Sequence, residues 1–131
     1  MYEPLPGNYV WNLSVNLALM CGGNIGEIDR ACRPLREAAA RGEDTGTAQF
    51  FDSWLAVANQ VAANARADER AGRSLSAAEK YGRAAMYLLT AERMQSRDHV
   101  PRREACQRGL QHFRRRSELA HEDCEFVEIP L

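Results

Sequence analysis

Residues 48–71, AQFFDSWLAVANQVAANARADERA, decide the fold. Phe51, Trp54, Leu55, Ala58, Val61, Ala62 and Ala65 recur at i, i+3, i+4, i+7, the spacing of one face of an α-helix. Thr47 stands where an N-cap is wanted, and Gly72 where a left-handed C-terminal residue ends a helix. The many alanines add intrinsic helicity and let neighbouring helices approach closely.

Working outward, Ser76-Ala77-Ala78-Glu79 has the capping-box pattern and opens the next helix. Its core stripe is Ala78, Tyr81, Ala85, Leu88 and Ala91. Met86, Tyr87 and Leu89 lie off that stripe, so this helix is apolar on more than one side and contacts two surfaces. A last helix runs over 101–120. Cys106, Leu110, Phe113 and Ser117 mark one side of it, and Arg102, Arg103, Arg108, Arg114, Arg115 and Arg116 the other.

Upstream, residues 42–47 (GEDTGT) read as a loop. Helix is expected over 25–32, interrupted or restarted by Pro34 and continuing over 35–41. The first segment carries two patterns. Trp11, Leu13, Val15 and Leu17 alternate with Asn12, Ser14 and Asn16, as in a strand. Trp11, Val15, Ala18 and Leu19 also fit a helical face, and Gly22-Gly23 looks like a helix stop. The reading adopted is helix over 9–21. Residues 124–129 (CEFVEI) alternate polar and apolar before Pro130 and read as a short strand. A lone strand forms no sheet, so it points to a further, β-rich portion. The fold class expected is all-α: about five helices, with a short C-terminal strand.

Composition bounds the function. The chain has 131 residues, 45% hydrophobic and 27% charged, with a net charge of −1. This suits one ordinary domain and gives no electrostatic pull towards nucleic acid or membrane. Lys80 is the sole lysine, a bias that fits a GC-rich coding sequence. No run approaches the ~18 apolar residues that span a bilayer. Residues 1–7 lack the basic and apolar regions of a signal peptide, so a cytoplasmic location is expected. Cys21, Cys32, Cys106 and Cys124 lie far apart without a CxxC pair, and are read as buried free thiols rather than disulfides or zinc ligands.

Motifs for chemistry are missing. Gly72-Arg73-Ser74-Leu75-Ser76 lacks the final glycine of a nucleophile elbow. Gly22-Gly23 and Gly26 lack the strand and lysine of a phosphate loop. His99, His112 and His121 give no metal-ligand spacing; His112 and His121 are read as exposed or capping residues. Arg114, Arg115 and Arg116 sit among Glu104, Glu118, Glu122 and Asp123, as in a solvated, partly ion-paired face. No metal, cofactor or nucleic acid is expected. Trp11, Trp54, Tyr81 and Tyr87 default to core, with Tyr87 the best exception because it stands off the main stripe beside Met86.

The order of features carries a resemblance. Gly22-Gly23-Asn24-Ile25-Gly26-Glu27 is followed by Trp54-Leu55-Ala56-Val57-Ala58. Then come the Ser76-Ala77 cap, Tyr81-Gly82-Arg83-Ala84-Ala85-Met86-Tyr87, an arginine-rich helix and Phe126-Val127-Glu128-Ile129-Pro130. This series, over nearly the whole chain, resembles the N-terminal helical region of the α/β-hydrolases that include pseudooxynicotine C–C bond hydrolases and fungal polyketide-shortening enzymes. Met86 stands where that family usually has the first of two tyrosines, so no role of that hydroxyl carries over.

The resemblance implies that residues 1–123 are a cap, or lid, and that residues 124–131 lead into a catalytic α/β domain supplying serine, acid and histidine. The chain alone would then not be an enzyme. Its partners would be that domain, in cis or as a separate chain, an apolar or aromatic substrate, and a second copy in a homodimer. Trp11, Met20, Met86 and Tyr87 are the candidate substrate-binding residues, acting through shape and desolvation. The alternative is a stand-alone, tetratricopeptide-like scaffold that binds a protein or peptide. Ala78, Tyr81, Ala85 and Ala91 suit one helix of such a hairpin, but no second copy recurs at a 34-residue period.

Overall fold

Helix α4 (Ala48–Arg70) is the central element of the computed structural model, which describes residues 1–44 and 46–130. Thr45, within the expected loop, and Leu131, the last residue of the expected C-terminal segment, lie outside the described residues. The Thr47 hydroxyl accepts from Phe50 N–H, capping α4 as its sequence predicts. At the other end Gly72 takes φ +74°, and Arg73 N–H reaches back to the Asp68 carbonyl at 2.9 Å. That closure satisfies carbonyls the helix leaves unpaired and turns the chain in three residues.

Helix α5 (Ser74–Glu92) therefore starts earlier than the capping-box reading placed it. Ser76 does not cap it. Its hydroxyl donates to Asp68 Oδ2 at 2.6 Å, because the tight turn brings a carboxylate, the stronger acceptor, within reach. Arg73 and Lys80 close on the same carboxylate. Helix α6 (Pro101–Leu119) begins with proline at its first position, where a missing N–H costs nothing.

Contacts fix the directions. Trp54 meets Tyr87 at one end of the α4–α5 pair, and Ala65 packs with Ala77 at the other. Arg102 binds Glu92, while Arg116 lies across Gly82. Thus α4, α5 and α6 are antiparallel in succession. Gly82 leaves room for the Arg116 side chain at that crossing: a Cβ there would sit 2.7 Å from Arg116 Cδ and displace it.

The N-terminal part covers one end of this array. Helix α1 (Tyr9–Met20) is capped by Asn8, whose side chain accepts from Trp11 N–H at 3.0 Å. Helix α2 (Ile25–Cys32), a 3-10 turn (Arg33–Leu35) and α3 (Arg36–Ala40) form one bent helical run around Pro34. Counting that run once gives the expected five helices. A ladder of rings, Trp11–Phe50–Trp54–Tyr87, with centroids 5.1, 6.1 and 5.8 Å apart, joins α1, α4 and α5 in the core.

The double pattern of α1 has a physical origin. Asn12 and Ser14 are buried, whereas Leu13 and Leu17 are exposed. Asn12 exchanges two hydrogen bonds with the Leu5 backbone, and Asn16 two with the Tyr2 backbone. Side-chain amides thus hold the extended leader, so the polar residues of α1 face inward.

The expected C-terminal strand is not formed. Residues 122–130 have no regular structure, and no strand occurs among the described residues. The helices offer no sheet edge for a strand to pair with. The cysteines differ from expectation as well. Only Cys32 is buried, and burial, helped by nearby Asp29, pushes its thiol up to about 12; Cys21 and Cys124 are exposed and Cys106 half-buried. No described helix is long and apolar enough to cross a membrane.

Candidate functional site

The second apolar side of α5 faces a cavity of about 660 Å³ between α5 and α6, reached by the turn after α1. Met86 and Leu89 line it from α5, Leu110 and Phe113 from α6. Cys21 and Cys106 also open onto it. A volume of this size lies within the usual range for small-molecule sites.

Two guanidinium groups stand in the wall. Arg83 makes paired hydrogen bonds to Glu27, at 2.9 and 3.1 Å. Arg116 reaches Glu122 at 2.7 Å, with its guanidinium 5.7 Å from the Phe113 ring centroid. Glu79 lies at the rim.

The four sequence candidates do not come together. Met86 lines the cavity. Tyr87, next to it in sequence, points the other way and is fully buried. Its hydroxyl donates to Glu27 Oε2 at 2.7 Å and accepts from Asn24 N–H at 2.8 Å. Burial first, then the bond to Glu27, pushes that hydroxyl's pKa well above the usual phenol range. Trp11 is wholly within the aromatic core. Met20 ends α1 and is 82% exposed, one residue before the lining residue Cys21.

Two of the sequence motifs are thereby in contact. Asn24 and Glu27 of the glycine-rich segment meet Arg83 and Tyr87 of the second. Gly23 is required at this junction, since a Cβ would fall 2.7 Å from the Ala18 carbonyl oxygen and 2.9 Å from Ile28 Cδ1. The contact fixes α2 on α5 and leaves Arg83 no free valence on its Glu27 side.

Of the side of α6 marked by Cys106, Leu110, Phe113 and Ser117, only Ser117 is buried; Leu110 and Phe113 are 61% and 42% exposed, and the other buried α6 residue is Ala105. The missed signal was joint: 82, 86, 89 on α5 and 106, 110, 113 on α6 are two stripes of similar length outside the core, on helices that must pack antiparallel. The arginine side of α6 is tied down. Arg102 binds Glu92, Arg115 binds Glu69 and Glu118, and Arg114 lies 5.1 Å over the Phe126 ring.

His112 stacks on Tyr81, with centroids 5.3 Å apart, and is not the exposed capping residue expected. Burial, with Arg108 and Arg66 nearby, lowers its pKa. Its reading as an exposed residue failed because it faces α5 rather than solvent. Among the described residues no group of three or more His, Cys, Asp or Glu is placed to hold a metal ion. No protein-family model, curated protein or solved structure matches the chain.

Proposed function

We propose that the chain is the helical cap of an α/β-hydrolase, walling the substrate pocket of an enzyme that cleaves an ester, amide or C–C bond next to a carbonyl. The observation that carries this reading is the apolar cavity between α5 and α6, whose walls Leu110 and Phe113 remain exposed. A cap contributes such a wall and excludes water from the bond being broken, while nucleophile, acid and histidine come from the domain it covers.

A second apolar surface supports the same reading. Tyr9, Val10, Leu13, Leu17 and Met20 form an exposed stripe along α1, a helix without a single charged residue. Contiguous apolar surface of this extent marks an interaction site. In the cap reading it is covered by the catalytic domain, in the same polypeptide or a separate chain, or by a second cap in a dimer. Residues 124–130 then lead on to that domain, with Phe126 resting edge-on against Phe113. The enzyme works in the cytoplasm.

A tetratricopeptide-like scaffold is the other reading. Successive antiparallel helices suit it, but a peptide-binding groove of that kind is polar along its floor. The centre of the α5–α6 groove is apolar, which favours the cap.

The test is hydrolysis by the full gene product, assayed against p-nitrophenyl esters and a 1,3-diketone. Hydrolysis whose KM rises in Met86→Trp, with the rate of active-site titration unchanged, supports the reading. A gene product with no hydrolase activity, and an isolated chain with no affinity for a hydrolase domain, overturn it.

A further inference from the structure

We infer that the α5–α6 cavity selects an uncharged apolar molecule and turns away the same molecule carrying a charged head. The inference deepens the cap reading, on which calling that molecule a substrate rests.

The argument starts from the charges in the wall. Both cations that line the cavity already hold a carboxylate of the chain itself. The Arg83–Glu27 pair is two-pronged, with side chains only 21% and 13% exposed. The Arg116–Glu122 pair is more open, but Glu122 is also anchored by the Ser117 hydroxyl at 3.0 Å. An anionic ligand must displace a tethered carboxylate, which competes at high effective concentration.

A cationic head fares no better. It would enter beside two guanidinium groups, and the one lining carboxylate, Glu79, is exposed to solvent and already lies in the field of Arg83. Water and salt weaken that attraction. Burying either ion among Met86, Leu89, Leu110 and Phe113 leaves it without compensation. An uncharged molecule meets none of these costs and gains from every apolar wall.

The test uses the 131-residue chain with decanol, decanoate and decylamine at pH 7, read by titration calorimetry. Decanol is expected to bind at least about tenfold more tightly than either ion. Leu110→Trp and Met86→Trp, which fill the cavity, should each weaken decanol at least about tenfold while circular dichroism shows unchanged helicity. Glu122→Gln frees Arg116 and should bring decanoate to within about threefold of decanol.

Thiol labelling locates the site independently. Decanol should slow N-ethylmaleimide labelling of Cys106, which lines the cavity, and leave exposed Cys124 unaffected. Three results would each overturn the inference: ions binding as tightly as decanol, decanol binding unchanged in both filled variants, or equal labelling of Cys106 with and without decanol. Selective decanol binding by a chain whose gene encodes no hydrolase would keep this inference and sink the cap reading. A true hydrolase whose cap takes the ions equally well would do the reverse.

Discussion

Tyr87 donates its phenolic hydrogen to Glu27 Oε2 at 2.7 Å, across 60 residues of sequence, and the same carboxylate receives Arg83. This bond, rather than a pocket contact, is what the Tyr87 hydroxyl does in the fold. It pins the N-terminus of α2 to α5 beside the cavity. Tyr87→Phe leaves the Asn24 N–H and a Glu27 lone pair short of a partner, and should cost about 1–3 kcal/mol in urea denaturation. Glu27→Gln should cost more, since it also strips Arg83 of its ion pair. The double variant should fall short of the sum, because the two changes remove one shared network.

A second expectation concerns the end of α6. The chain closes there as it does after α4, with Glu122 N–H bonded to the Ser117 carbonyl at 2.9 Å, but the left-handed position holds His121 at φ +53°. Glycine adopts that conformation without the Cβ clash. His121→Gly should raise stability by roughly 0.5 kcal/mol, the relief of strain less the added freedom of the unfolded chain. Gly72→Ala, at φ +74°, should move the melting temperature the other way.

Acid should loosen the three-helix array in two steps. His112 has a folded pKa below its unfolded value, so its contribution is complete above about pH 6.5 and is lost as pH falls below that. His112→Phe keeps the stack on Tyr81 and should flatten the urea midpoint between pH 7 and pH 5. Asp68 is held well below the usual carboxylate range by its bonds to Lys80, then Ser76, then Arg73. Its contribution is present above about pH 4 and is lost as pH drops further. Asp68→Asn should lower stability at pH 7 and remove part of the acid limb below pH 4.

Much of the fold was legible in the sequence, for reasons that differ by element. Helix α4 declares itself because its stripe, its N-cap and its closing glycine all agree. The segment over 25–32 was legible as a helix too, and its cap, Asn24, emerges only in the structure. Helix α1 was legible only in part, because its amides turn inward to hold the leader at Tyr2 and Leu5. Ser76 misled because a cap pattern competes with a nearby carboxylate that only the α4–α5 turn delivers.

The site was harder to read. Met86 could be found, since an apolar residue off the main stripe must face something. Leu110 and Phe113 could not be told from core, because periodicity identifies an apolar side without saying whether another helix covers it. Tyr87 shared the off-stripe signal with Met86, yet its partners Asn24 and Glu27 lie far away in sequence and claim it for the interior. The C-terminal alternation was a real pattern, but a strand exists only where another can pair with it.

The measurement that bears most directly on the central claim is active-site labelling of the full gene product with a fluorophosphonate, followed by tandem mass spectrometry. The account predicts one labelled serine, lying in a GxSxG turn outside residues 1–131. Label on any serine within residues 1–131, or no label at all, would contradict it.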